Sequence, residues 1–344
     1  MQKLHVLRRV QVCLVAGAVL CGAAFFGGAT LGAQVVPTVR ALTEEWPDTI
    51  KVDGIEILPV LKNVYMLVGG GAHVTIAFGD EGVVMVDSGA PGQAARIQNA
   101  VRRLTRKPLR YLLNTGPDAD HAGGNGEMVR WAGGTSGPQA GAGGGRPPNV
   151  GTAVIAHENA YNRMITGTAQ FPALTGEALP ESTFFTPRKD LHANGEPVQL
   201  LFQPAAHTDG DVMVFFRGSD VVAAGEIYRT DQFPLIDTAR GGSINGELAA
   251  LNNLLDITVP VRNQMGGTRV VPAYGRLSNE ADVLEYRDML TIIRDRVKSM
   301  VDKGQTLAQV RAAGVALEYG GIYGTKPAWT TDMFVEAVYN SLKK

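Results

Sequence analysis

The sequence predicts an α/β protein of αββα type, two β-rich halves enclosed between helices. Three observations carry this. Short β-prone runs broken by glycine follow one another from Ile55 to Asp87. A stretch at helical spacing then leads into another strand. The same order, strands, helix, strand and helices, returns in the second half. The 344 residues are enough for one large core, no solenoid repeat is present, and 45% hydrophobic with 19% charged residues is ordinary for a globular chain.

The elements follow in order. Strands are expected at Ile55–Val60, Val64–Val68, His73–Phe78 and Gly82–Asp87, with Gly69-Gly70-Gly71 and Gly79-Asp80-Glu81-Gly82 as turns. Ala95, Ile97, Val101 and Leu104 recur at helical spacing within 92–106, and a strand follows at 109–113. Residues 133–149 are Gly/Pro-rich and read as a flexible surface insertion, because strand Thr152–Ala156 resumes the pattern. Residues 166–189, with Phe171, Phe184 and Phe185, read as irregular; those rings would wall a cleft or pack under the loop. Strands at 197–202, 211–216, 220–224 and 268–272 and helices at 245–256, 279–302, 305–313 and 330–342 complete the chain.

Residues 1–33 read as a signal peptide, with Lys3, Arg8 and Arg9 before the apolar run Val10–Phe26 and Leu31-Gly32-Ala33 as a cleavage site. Alternatives are an uncleaved membrane anchor, a twin-arginine signal at Arg8-Arg9, or a weak lipobox ending at Cys21. The expected location is periplasmic or secreted. Residues 34–53 form an extended arm, and 54–344 a single domain. Both cysteines, Cys13 and Cys21, lie in the leader, so the mature chain has no disulfide and no thiol nucleophile or ligand. The net charge is −1, and losing the three leader cations takes it to −4. No clustered basic excess points to nucleic acid.

Chemistry-bearing residues collect at strand–turn junctions. The stretch Asn114-Thr115-Gly116-Pro117-Asp118-Ala119-Asp120-His121-Ala122-Gly123-Gly124-Asn125 projects Asp118, Asp120 and His121 from a loop after a strand. Ala206-His207-Thr208-Asp209-Gly210-Asp211, Ala224-Gly225-Glu226 and Pro272-Ala273-Tyr274-Gly275 occupy similar junctions. A site holding metal needs nitrogen and oxygen ligands converging from several such ends.

In these motifs, from about residue 55 to 342, the chain resembles the metallo-β-lactamase-fold superfamily. Met85-Val86-Asp87-Ser88-Gly89 looks like the family's early strand ending in aspartate. Asn114-Thr115 and Gly123-Gly124-Asn125 frame its HxHxDH box. The box is altered: Gly116 and Asp118 stand at its first two histidine positions, while Asp120 and His121 are kept. His207 matches the third histidine, Glu226 the bridging aspartate and Tyr274 the last histidine. The resemblance implies Asp118, Asp120, His121, His207 and Glu226 as ligands, with Tyr274 a further candidate. Asp120 would orient a water or take its proton, and Asp87 would brace the box.

This donor set is richer in carboxylate than a zinc site of imidazoles. It suits one divalent cation, zinc, manganese or iron, or no ion. Without a cation, carboxylates crowded in one cleft should drive at least one pKa up. The implied activity is hydrolysis of an ester, lactone or amide in a small-molecule substrate. The alternatives are a catalytically inactive binding or scaffold relative and, more weakly, a periplasmic redox accessory with Tyr274 on iron. Each residue also has a structural reading: Asp120 and His121 as loop hydrogen-bonders, Glu226 as a buried acid, Tyr274 as packing, Asp209 and Asp211 as turn formers. His73, His157 and His192 read as surface or satisfied core residues. The glycines at 69–71 are no phosphate loop, since neither GK[ST] nor a helix follows.

Overall fold

The computed structural model describes residues 48–134, 151–168, 172–262 and 266–343. The expected signal peptide, the arm up to residue 47, the Gly/Pro stretch from 135 to 149 and Phe171 lie outside the described residues.

The first sheet contains β1 (Ile50–Val52), β2 (Ile55–Leu61), β3 (Val64–Val68), β4 (Val74–Gly79), β5 (Gly82–Val86), β6 (Leu109–Leu113), β7 (Ala153–His157) and β8 (Ser182–Phe184), in that spatial order. It is antiparallel as far as β5, then parallel from β5 to β8. The second sheet contains β9 (Arg188–Ala193), β10 (Glu196–Gln203), β11 (Asp211–Phe216), β12 (Val221–Ala223), β13 (Arg269–Val271) and β14 (Ser278–Asn279), in spatial order β14 to β9. Only β12 and β13 run parallel there.

Side-chain alternation along the strands separates three cores. On β5, Val83 and Met85 face outward against Ile97 and Val101 of α1 (Ala94–Leu104) and Met128 and Val129 of α3 (Asn125–Trp131); the short α2 is Ala119–Ala122. Val84 and Val86 face inward, where they meet Val212 and Val214 of β11. Met213, one residue out of phase, turns to the other side of the second sheet. After α4 (Glu158–Thr166), helices α5 (Ile244–Ile257), α6 (Glu280–Asp302), α7 (Leu307–Ala312), α8 (Leu317–Tyr323) and α9 (Thr331–Leu342) complete the set. Leu251, Leu290 and Phe334, from α5, α6 and α9, pack on that second face. The layers are therefore helices, sheet, sheet, helices, as the sequence predicts.

Two differences have physical causes. The stretch 166–189 is not wholly irregular: it holds β8 and the start of β9. The β9 run RKDLHA is charged because it is an edge strand, with only Leu191 and Ala193 turned to the core. The end of the arm also forms a strand, β1, paired with β2. Of the phenylalanines, Phe184 is buried between the sheets and Phe185 is exposed.

Parallel β5 and β6 deliver Asp87 and the box loop to one end of the sandwich. Parallel β12 and β13 deliver Glu226 and Tyr274 to the same place, as hydrogen bonds between these loops show.

Candidate functional site

Asp87 follows β5 with φ of 60°, the left-handed region that non-glycine residues rarely occupy. That conformation turns its carboxylate onto the box loop. Asp87 Oδ1 accepts from Thr115 N–H at 2.8 Å; Oδ2 takes the Thr115 hydroxyl at 2.6 Å and His121 Nδ1 at 2.7 Å. The expected bracing role is what the geometry shows. Ser88, Asn114 and Asn125 tie the loop ends together: Ser88 Oγ donates to Asn125 Oδ1 at 2.8 Å, and the two asparagine amides exchange bonds of 3.1 and 2.9 Å.

With Nδ1 held by Asp87, the His121 Nε2 faces Glu226 Oε1 at 3.2 Å. Glu226 sits in a 3-10 turn just beyond β12, and its Oε2 accepts from Arg229 at 3.0 Å. Arg229 also binds Asp231 at 2.9 Å and lies over the Tyr274 ring at 4.6 Å. The Tyr274 hydroxyl donates to Asp120 Oδ2. Asp120, His121 and Glu226 thus form one group whose ligand atoms lie within 4.8 Å of one another. His121 and Glu226 are buried, and Asp120 is half-buried.

The five-residue ligand set expected from the sequence divides here. Asp118 and His207 stand apart from that group and bind each other, Oδ2 to Nε2, at 2.7 Å. The other Asp118 oxygen takes the Arg240 guanidinium, which also binds Asp237 at 2.7 Å. His207 Nδ1 donates to the Leu235 carbonyl at 2.7 Å. Both ends of the imidazole and both oxygens of Asp118 are therefore engaged within the protein. Among the described residues, the group whose ligand atoms lie within 4.8 Å of one another does not include this pair.

Charge follows this geometry. Burial alone would push the Asp118 carboxyl up; the bond and charge of His207, then Arg240, outweigh it and hold it well below the usual carboxylate range. Burial likewise opposes ionisation of Glu226, but Arg229 and His121 bring it down to about 2. Burial disfavours the His207 cation, yet Asp118 raises it to about 10. His121 is also raised, burial being overcome by Asp87 and Glu226. Burial and the Asp120 charge push the Tyr274 phenol further up. The expectation of a raised carboxyl in the cleft therefore fails for Asp118, held down by His207 and then Arg240, and for Glu226, held down by Arg229 and then His121. The raised acids lie behind the site: burial pushes Asp211 up to about 6, and raises Glu247 of α5, whose two oxygens have no hydrogen-bond partner among the described residues.

Arg229 and Arg240 are the residues that sequence reasoning misses. Arg229 has a faint signal, three residues after Glu226. Arg240 has none, since it is 122 residues from Asp118. Asp211 shapes its turn as expected, accepting from Thr208 N–H and hydroxyl at 2.7 and 2.8 Å. Asp209 pairs with Arg163 at 2.7 Å. His192 is exposed, whereas His73 and His157 are buried, each with one ring nitrogen lacking a partner among the described residues. Gly116 lies in open backbone space: its φ is not positive, and a Cβ there would meet nothing nearer than Asp211 Oδ1 at 3.7 Å.

Comparison with known proteins agrees with the fold. Residues 67–288 match the model of the metallo-beta-lactamase superfamily. A metallo-beta-lactamase from Pontibacter korlensis superposes with a TM-score of 0.52 at 16% identity, over 69% of this chain and 99% of that one. The stereoselective inverting sec-alkylsulfatase Pisa1 from Pseudomonas sp. gives 0.60 at 14% identity over 83% of this chain, which spans 49% of that longer protein. A metallo-beta-lactamase from Hirschia baltica gives 0.50 at 14% identity, over 69% of this chain and 97% of that one. These likenesses concern the fold, and with the matched residues they show that the chain belongs to the metallo-β-lactamase superfamily.

Proposed function

We propose that this chain is an exported, metal-dependent hydrolase of an ester, lactone or amide in a small-molecule substrate, working with one divalent cation. The observation that carries this reading is the convergence of Asp120, His121 and Glu226, one imidazole and two carboxylates, at the strand ends where the fold places its chemistry. The donor set fits a single zinc, manganese or iron ion. A divalent cation supplies Lewis acidity and lowers the pKa of water.

The protein's own groups have separable tasks. Asp87 fixes the His121 ring so that Nε2 points at Glu226. The Tyr274 hydroxyl holds Asp120 by one oxygen, and Asp120, the least buried of the three, can take a proton from a water. The Arg240 guanidinium on the Asp118–His207 pair already supplies positive charge on that side of the cleft, which favours one ion over two. Export rests on Lys3, Arg8 and Arg9 ahead of an apolar run.

Metal analysis after purification without chelator and reloading should give one ion per chain, lost in Asp120→Ala and Glu226→Ala. A panel of chromogenic esters, lactones and amides should show turnover that fails in the same variants. Content far below one after reloading would sink the mechanism. A second reading, a binding or scaffold relative without turnover, is favoured by the guanidinium partners already on Glu226 and Asp118. Absence of both metal uptake and turnover would establish it over the first.

A further inference from the structure

A basic depression lies at the other end of the first sheet. Strands β5, β6 and β7 are parallel, and their carboxyl ends face the candidate site. The turn 105–108 enters β6 from its amino end, and Trp131 closes α3, after which the chain returns to the amino end of β7. Between them is a concave surface lined by Arg102, Arg106, Lys107, Pro108, Trp131 and Ala132. Helix α1 contains no acidic residue, and Arg103 follows Arg102 in its last turn.

These charges are poorly answered within the protein. Arg102, Arg103 and Arg106 are exposed, and among the described residues none has an ion pair or hydrogen bond. The Arg102 guanidinium lies over the Trp131 ring at 5.3 Å. Lys107 Nζ reaches only the fully exposed Asp80, donating to its carbonyl at 3.2 Å and lying 3.5 Å from its carboxylate. The helix dipole accounts for basic residues in the last turn of α1 but not for Arg106 and Lys107 beyond it. Unpaired guanidinium groups match phosphate oxyanions, and a half-buried indole at the rim has one apolar and one wet side. That combination is the one suited to the headgroup level of a bilayer.

We propose that this depression docks the protein on an anionic phospholipid surface, with Arg102, Arg103 and Arg106 on headgroup phosphates and Trp131 at the interface. Docked this way, the end carrying Asp120, His121 and Glu226 faces away from the bilayer and stays open to substrate. The proposal does not depend on the catalytic reading.

The test is co-sedimentation of the full chain with vesicles of phosphatidylcholine, alone or containing phosphatidylglycerol. The leader's own Lys3, Arg8 and Arg9 would also favour anionic vesicles, so the comparison of wild type with the triple variant, which share that leader, isolates the depression. Binding should favour the phosphatidylglycerol vesicles, fall with added salt and drop by about 100-fold in the triple variant Arg102→Gln, Arg103→Gln, Arg106→Gln. A blue shift of tryptophan emission should be lost in Trp131→Phe. Circular dichroism confirms that these surface variants fold. Equal binding to the two vesicle types, or an unaffected triple variant, would overturn the proposal. So would displacement of bound protein by millimolar inorganic phosphate, which would instead mark a site for a small free anion.

Discussion

Arg240 and Arg229 decide the electrostatics of the cleft, each by taking one carboxylate out of competition. Both pairs are buried, so removing an arginine leaves a buried carboxylate with only its histidine as partner. Arg240→Met should destabilise the fold by about 3–5 kcal/mol in urea unfolding. Combining it with Asp118→Asn should cost less than the two single changes added together. Glu247 works in the opposite sense. Its carboxyl pKa is raised in the folded state, first by burial and then by Asp211. The folded protein therefore keeps a proton that the unfolded chain gives up near 4.5, and stability falls as pH rises from there toward the folded pKa. Glu247→Gln removes that loss, so its thermal midpoint should exceed the wild type's by a margin that widens from pH 5 to pH 8. A constant or shrinking margin would contradict the assignment. At this scale Asp87, Asp120, His121 and Glu226 are legible in the sequence, because each sits in a framed motif at a strand end. The arginines are not, since their meaning comes only from tertiary placement.

Elements are legible where burial imposes a period. β5 and β11 alternate between two cores, and α6 starts at a capping box of Asn279 with Asp282. The edge strand β9 is hidden because its charges suit a sheet border rather than a sandwiched strand. α5 shows where local propensity misleads. Gly246 sits in its first turn, after the Ser243 cap, and a glycine-to-alanine change in a helix ordinarily stabilises by about 0.5–1 kcal/mol. Here a Cβ would run into the backbone carbonyl of Ala205. Gly246→Ala should therefore lower the thermal midpoint, the reverse of the helix-propensity sign. Because the same junction carries Ser243 against Ala205 and Ala206, the loop of His207 should move with it. A change in the nuclear magnetic resonance signals of the His207 ring would report that coupling.

For the whole molecule, a ligand that binds only the folded state stabilises it by mass action. Zinc or manganese at about 100 times its dissociation constant should add about 2.7 kcal/mol, a rise of several degrees in thermal midpoint that is absent in Glu226→Ala. The layered architecture and the end of the sandwich that carries the chemistry were both readable from motif order. What escaped was how the ligand-type residues would share themselves out, since that depends on which cations the fold brings alongside. Gly116 carries a consequence of its own. The backbone there needs no glycine, and the space beside it is open as far as Asp211. The donor chemistry of this loop is thus decoupled from its foldability. A Cβ can be added at that position without displacing the backbone, so a change of residue type there need not begin by rebuilding the scaffold.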